Sequence, residues 1–149
     1  MRKLTIPIGP QGAILQVEIG VSAPRRSAIL RVGMTPPAAI QAALLVDTGA
    51  SHTFIGTTAL ESLSLTPRDS YRFHSASTDE GEPDECDEYD VCLTLGSSAD
   101  QNLWRFSTFR IMASDRLGRH RHGLLGRDVL EHMQMEWNGT QRLLHLLYP

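Results

Sequence analysis

The chain has 149 residues, of which 41% are hydrophobic and 21% charged, a composition that excludes a disordered chain and suits one globular domain over residues 1–149. The formal net charge of -3 argues against a wholesale nucleic-acid binder. The start M-R-K-L-T-I-P-I-G-P alternates where a signal peptide needs a continuous apolar stretch, and no run approaches the ~20 apolar residues of a membrane span, so a soluble, cytoplasmic protein without membrane contact is expected.

In chain order, short apolar or alternating segments separated by Gly, Pro and Ser predict strands over residues 4–8, 13–21, 27–33 and 40–46. The 40–46 strand runs straight into Asp47-Thr48-Gly49-Ala50-Ser51, after which His52-Thr53-Phe54-Ile55 resumes an apolar strand. A short helix is expected over 57–63, capped by Thr57 or Thr58. Further strands are expected over 71–75, 89–95 and 103–112, then a second short helix over 127–132 following Gly126. Strands 134–137 and 142–147 close the chain, joined through Asn138-Gly139, a pair suited to the positive φ angles of a tight hairpin turn. Helical periodicity is scarce, there is no internal repeat, and the fold class is all-β. Cys86 and Cys92 are the only cysteines. On one strand, at roughly 3.3 Å per residue, they stand about 20 Å apart, far beyond the ~7 Å reach of a disulfide, so both are expected as free thiols.

The most telling placement is that of Asp47. A carboxylate between two buried strands is desolvated unless it is hydrogen-bonded or shares a proton, so the position calls for a specific explanation. Gly49 allows a sharp turn that brings its N–H to that carboxylate. An aspartate merely closing a turn between strands is the plainer alternative.

The segment L-L-V-D-T-G-A-S-H-T-F-I resembles the active-site motif of the retropepsin-like aspartic proteases. Downstream, Gly123-Leu124-Leu125-Gly126-Arg127-Asp128-Val129-Leu130 is similar to the family's apolar-apolar-Gly-Arg-Asn/Asp-apolar-Leu segment. Either motif alone is weak; together, at this separation, they are specific. The resemblance covers residues 39 to the C-terminus, and the N-terminal strands exceed what a minimal member needs.

The resemblance implies a closed acid-protease β-barrel with a flap hairpin and one short C-terminal helix. It also implies an aspartic endopeptidase acting on peptide or protein substrates, with Asp47 as its catalytic carboxylate. Such chemistry needs two carboxylates sharing a proton, one to activate water and one to donate to the scissile carbonyl. The sequence holds one Asp-Thr-Gly and no second copy, so two chains must meet in a homodimer, each supplying Asp47. By the same resemblance Thr48 would bond the partner's loop and Gly49 would offer its carbonyl to substrate. Ala50 stands where pepsins carry Ser or Thr, which implies a working range less acidic than theirs. Gly126, Arg127 and Asp128 would support the loop from beneath. Many relatives have Asp where this chain has Ser51, and that Asp pairs with the motif's Arg; Arg127 is left to another carboxylate, Asp128 or one from a second subunit.

Residues 71–95 occupy the flap's place, with Gly81 as its tip flanked by Asp79, Glu80 and Glu82. Eight of the twelve residues 79–90 are acidic. A solvated loop tip is the plain reading; recruitment of basic peptides, or contact with the basic loop 116–121, is the sharper one. His120 and His122 lack companions at zinc-site spacing, and no metal or cofactor is expected. Trp104, Phe106, Phe109 and Trp137 read as core or interface packing. Residues 143–148, apolar on both faces, are the candidate dimer strand, or else a central strand within one subunit. The competing function is a catalytically silent retropepsin-fold module that binds peptides or mediates dimerisation. A third reading is a metal- or phosphate-binding β-domain using residues 116–122.

Overall fold

The computed structural model describes residues 1–73, 84–97, 102–115 and 123–149. Ten strands are described: β1 (Arg2–Gly9), β2 (Gly12–Val21), β3 (Ile40–Val46), β4 (Phe54–Ile55), β5 (Asp69–Phe73), β6 (Asp84–Leu95), β7 (Trp104–Ala113), β8 (Gly123–Leu125), β9 (Gln134–Asn138) and β10 (Leu143–Tyr148). Helix α1 spans Ala23–Arg31, a 3-10 helix spans Thr57–Leu63, and α2 is the single turn Arg127–Leu130.

The strands follow the order β5-β6-β7-β4-β8-β3-β2-β1-β10-β9, and a further β6–β2 pairing closes six of them, β2, β3, β8, β4, β7 and β6, into a barrel. Closure removes the edges these six strands would otherwise present and leaves β5 and β9 as the ends of the sheet. β2 makes closure possible because it is ten residues long and shares itself among three partners. Ile8–Gly9 of β1 meet its start, β3 pairs with Ile14 to Ile19, and β6 pairs with Val17 to Val21. Alternation along these strands turns Val17, Ile19, Leu44, Val91, Leu93, Leu95, Ile111 and Leu125 into one core. A small second cluster, Phe54, Cys86 and Met112 with Leu124 against them, forms apart from that core.

The expected all-β class and closed barrel with a short C-terminal helix match this architecture. Residues 27–33 are the main departure, because they lie in α1 and the turn after it instead of in a strand. Pro24 sits in the first helical turn, where its fixed φ and missing N–H are harmless, and the Arg26 N–H donates to the Ser22 carbonyl at 2.8 Å. The apolar run Ala-Ile-Leu reads equally well as strand or helix; with β2 already shared among β1, β3 and β6, no place remains beside it. α1 buries none of its residues.

Smaller departures share the same local character. Neither Thr57 nor Thr58 caps the 3-10 helix; Gly56 is its N-cap, without a side-chain bond. The β9–β10 hairpin passes through Asn138 and Gly139, but Asn138 pairs with Leu143, so four residues form the turn. The Asn138 carboxamide oxygen closes it, accepting from the Gln141 N–H and the Thr140 hydroxyl, and the positive φ falls on Arg142. β10 lies between β1 and β9, so both its edges are satisfied within the chain. Cys86 and Cys92 both lie on β6 as buried free thiols.

Candidate active site

β3 ends at Val46 and releases the chain into the loop that carries Asp47. β8 explains why the loop is held where it is: it lies between β3 and β4, parallel to the first and antiparallel to the second. β4 pairs in turn with β7, Phe54 to Met112 and Ile55 to Ala113. The two motifs, some seventy residues apart, thus form one crossing. The main chain needs every side chain out of the way at two points. A Cβ on Gly123 would collide with the Phe54 backbone, and a Cβ on Gly126 with the His52 carbonyl, so the two glycines of G-L-L-G are what let β8 and its exit pass this close.

The loop is then tied from several sides. The Asp47 N–H donates to the Leu125 carbonyl at 3.0 Å, extending the parallel ladder by one bond, and the Ala50 N–H donates to the Asp47 carbonyl at 3.2 Å. From α2, the Arg127 N–H donates to the Ala50 carbonyl at 2.8 Å and the Arg127 guanidinium donates to the Thr48 carbonyl at 2.9 Å. The Gly49 N–H reaches back to Asp47 Oδ1 at 2.8 Å. Among the described residues this is the only hydrogen bond to the Asp47 carboxylate, which is half-buried, while Thr48 and Gly49 are exposed. The loop therefore fixes a carboxylate by one oxygen and leaves the other open to a partner.

Asp128 behaves differently. It accepts from the Thr53 N–H at 2.9 Å, from the Thr53 hydroxyl at 2.7 Å and from the Val129 N–H at 2.9 Å. Thr53 is fully buried, and its hydroxyl oxygen in turn accepts from the Gly126 N–H at 3.1 Å. The two Thr53 donors would otherwise be orphaned beneath the loop, whereas the Val129 N–H also reaches the Gly126 carbonyl at 3.2 Å. Of the two carboxylates expected for Arg127, Asp128 or one from a second subunit, the first is therefore corrected: Arg127 donates to the Thr48 carbonyl, and Asp128 accepts from Thr53 and Val129. Ser51 joins His52 instead, its hydroxyl 2.9 Å from the imidazole Nδ1.

Thr53 is the residue that sequence reasoning passed over. It stands in H-T-F-I, where a threonine is an ordinary strand residue; the only hint was a hydroxyl among apolar neighbours. Asp47, Thr48, Gly49, Ala50, Gly126, Arg127 and Asp128 are all brought together. The flap residues Asp79, Glu80, Gly81 and Glu82 and the basic segment 116–122 lie outside the described residues. What is described of the hairpin is its base, where β5 and β6 pair from Asp69–Glu88 to Phe73–Asp84, with Arg72 bridging Glu85 at 3.0 Å. Among the described residues no cluster of His, Cys, Asp and Glu could hold a metal ion, and no helix is long and apolar enough to cross a membrane.

The aromatic residues divide. Trp104 stacks on Phe106 and on Tyr148, with ring centroids 5.1 and 4.9 Å apart, and packs with Phe109 against the core. Trp137 is 58% exposed on β9.

Comparison with known proteins agrees with this geometry. No curated protein matches the sequence. A retropepsin-like aspartic protease from Rickettsia conorii is similar in structure, with a TM-score of 0.54 at 15% sequence identity over 98% of this chain and 90% of that one. The fold is thus retropepsin-like. The family model for aspartyl protease matches residues 39–129, a span that begins just before β3 and ends within α2, so it takes in both halves of the crossing, and the chain belongs to that family.

Proposed function

We propose that the protein is a homodimeric aspartic endopeptidase in which Asp47 of each copy supplies one carboxylate of a shared dyad. The observation that carries this reading is the Asp47 loop: one carboxylate oxygen is held by the Gly49 N–H, and the other takes no hydrogen bond among the described residues. One Asp47, ionised, takes a proton from water as the water oxygen attacks the scissile carbonyl carbon. The other, protonated, donates to the carbonyl oxygen, and the tetrahedral intermediate collapses as the amine leaves with a proton. Arg127 and the Leu125 carbonyl hold the loop, Thr48 faces the partner's loop, and the Gly49 carbonyl receives the extended substrate backbone. With Ala50 in place of a hydroxyl-bearing residue, activity should extend to less acidic pH than in the two-lobed relatives. A flap with Asp79, Glu80, Gly81 and Glu82 near its tip would close over the peptide.

The surface offered to a second copy is the β9 edge. Direct pairing puts Leu4, Leu146 and Met135 in one row and Ile6, Leu144 and Trp137 in the next. The first two members of each row are buried, whereas Met135 is 39% and Trp137 58% exposed. The core-facing side of the sheet thus runs out past its cover at an edge strand, which supports pairing with another copy.

Wild type and Asp47→Asn, incubated with a mixed peptide library across about pH 3 to 8, test the chemistry. Cleavage by wild type alone supports it; cleavage by both proteins removes Asp47 as catalyst, and cleavage by neither favours a silent peptide-binding module. Sedimentation tests the assembly. Trp137→Glu should shift the population towards monomer and lower activity in proportion, and an unchanged dimer would place the interface elsewhere.

A further inference from the structure

On the outer face of the barrel a cavity of about 290 Å³ opens between the sheet and α1. Its size falls just short of the ~300–1,000 Å³ of drug-sized ligand sites, which suits a smaller molecule. Its construction is specific. Gly20 pairs with Cys92 and Glu18 with Thr94 across β2 and β6, and Thr94 pairs with Arg105 of β7. The floor is thus lowered where Gly20 has no side chain. Cys92 falls where β6 and β7 slip register, between Val91 and Leu93. Arg26 of α1 forms part of the wall, together with Pro37 and Ala39 from the segment leading into β3.

The charges in this cavity are unequal. Its lining residues include two that are cationic, Arg26 and Arg105, against one that is acidic, Glu18. Two of these groups are already oriented: the Arg105 Nε–H points to the Cys92 sulfur at 3.1 Å, and Glu18 accepts from the Gln41 carboxamide at 3.1 Å. Guanidinium forks suit a planar carboxylate, and a surplus of one positive charge suits a monoanion. Glu18 would repel a polyanion and would favour a ligand that carries its own hydrogen-bond donor.

We propose that this cavity binds a small monocarboxylate bearing an adjacent donor, an α-amino or α-hydroxy acid, with its carboxylate on Arg26 and Arg105 and its donor towards Glu18. The site is independent of peptide cleavage, so its fate and that of the Asp47 assignment are separable. It makes α1 a wall of a binding site, which accounts for a helix that adds nothing to the core.

The experiment is a titration of the full chain, followed by backbone amide NMR, with alanine, lactate, propionate and inorganic phosphate as probes. Saturable shifts at Gly20, Cys92 and Thr94 are expected with alanine and lactate, and binding at least about fivefold weaker with propionate, which lacks the donor, and with phosphate. Arg26→Gln and Arg105→Gln should each weaken binding by about tenfold or more. Gly20→Ala keeps every charge and raises the floor by one methyl group. That added Cβ meets the Ala39 Cβ at 3.5 Å, ordinary packing, so the variant should fold and bind more weakly. No saturable shift with alanine or lactate, propionate or phosphate binding as tightly as they do, or an unchanged affinity in the arginine variants would each overturn the proposal.

Discussion

Asp47 and Asp128 flank one strand crossing, each a few bonds from the other's loop, and their surroundings differ in a way that separates chemistry from architecture. Asp128 accepts three hydrogen bonds, two of them from the buried Thr53, and so stitches the residue before β4 to the start of α2. Asp47 accepts one, from Gly49, on a loop that is otherwise pinned through its backbone. A carboxylate that already accepts three hydrogen bonds has little acceptor capacity left for water or substrate; one held by a single N–H keeps most of it. The same crossing can contain both because its glycines let main chain pack where side chains would collide. On the proposed function, the fold holds this site mainly through backbone bonds and leaves its less engaged acid for the chemistry.

The largest expected effect tests the first half of that contrast. Asp47→Asn should lower peptidase activity by at least about 10³-fold, since it removes the group that accepts the proton of water, yet move unfolding free energy by no more than about 0.5 kcal/mol, because the asparagine oxygen can still accept from Gly49. Activity assays paired with urea unfolding read both numbers. A variant that loses stability along with activity would mean that Asp47 is a structural turn residue after all.

Asp128→Ala should invert the pattern. It strands the Thr53 N–H and the Thr53 hydroxyl beneath the loop, while the Val129 N–H keeps the Gly126 carbonyl, at a cost of about 2–4 kcal/mol. Calorimetric unfolding should therefore shift well below that of wild type, and activity should follow the folded fraction. A fall in activity at full stability would place Asp128 in the chemistry. Arg127→Met comes next, at about 1 kcal/mol or less, because the guanidinium is exposed and its one loop contact is to the Thr48 carbonyl. It should loosen residues 48–50, read as faster amide exchange there than in wild type; unchanged exchange would show that the backbone bonds hold the loop alone.

How much of this was readable beforehand follows from what each feature depends on. The apolar strand ending in Asp47, and the glycines of G-L-L-G, advertise themselves because their chemistry is local: a carboxylate after a buried run, and glycine where a side chain cannot go. The partners of Arg127 and Asp128 were not readable, since they depend on β8 threading between β3 and β4, and a three-residue parallel pairing leaves no periodic trace. Thr53 was hidden for the same reason. α1 was misassigned because Ser-Ala-Ile-Leu-Arg has no period that distinguishes strand from helix, although Pro24 just upstream marks a first helical turn. At the β9–β10 turn, Asn-Gly correctly announces a hairpin, but Asn138 uses its side chain to close a wider loop and the strained φ passes to Arg142.

The smallest effect concerns a third acid behind the same crossing. Cys86 packs with Phe54, Met112 and Leu124, the apolar reverse of β4 and β8, and burial, aided by Glu88 and Asp87, pushes its thiol from 9.0 up to about 11. The folded chain therefore keeps this proton where the unfolded chain has lost it. The corresponding stability is fully present below pH 9.0 and is lost progressively as pH rises towards about 11. Tyr89, raised chiefly by burial and then by Asp87, adds in the same direction. Urea unfolding across about pH 8 to 11 should show stability falling in wild type and falling less steeply in Cys86→Ala, with the residual slope carried by Tyr89. Equal slopes in the two proteins would mean that water reaches Cys86. The crossing would then be wet on both sides, and the difference between Asp47 and Asp128 would have to rest on hydrogen bonds alone.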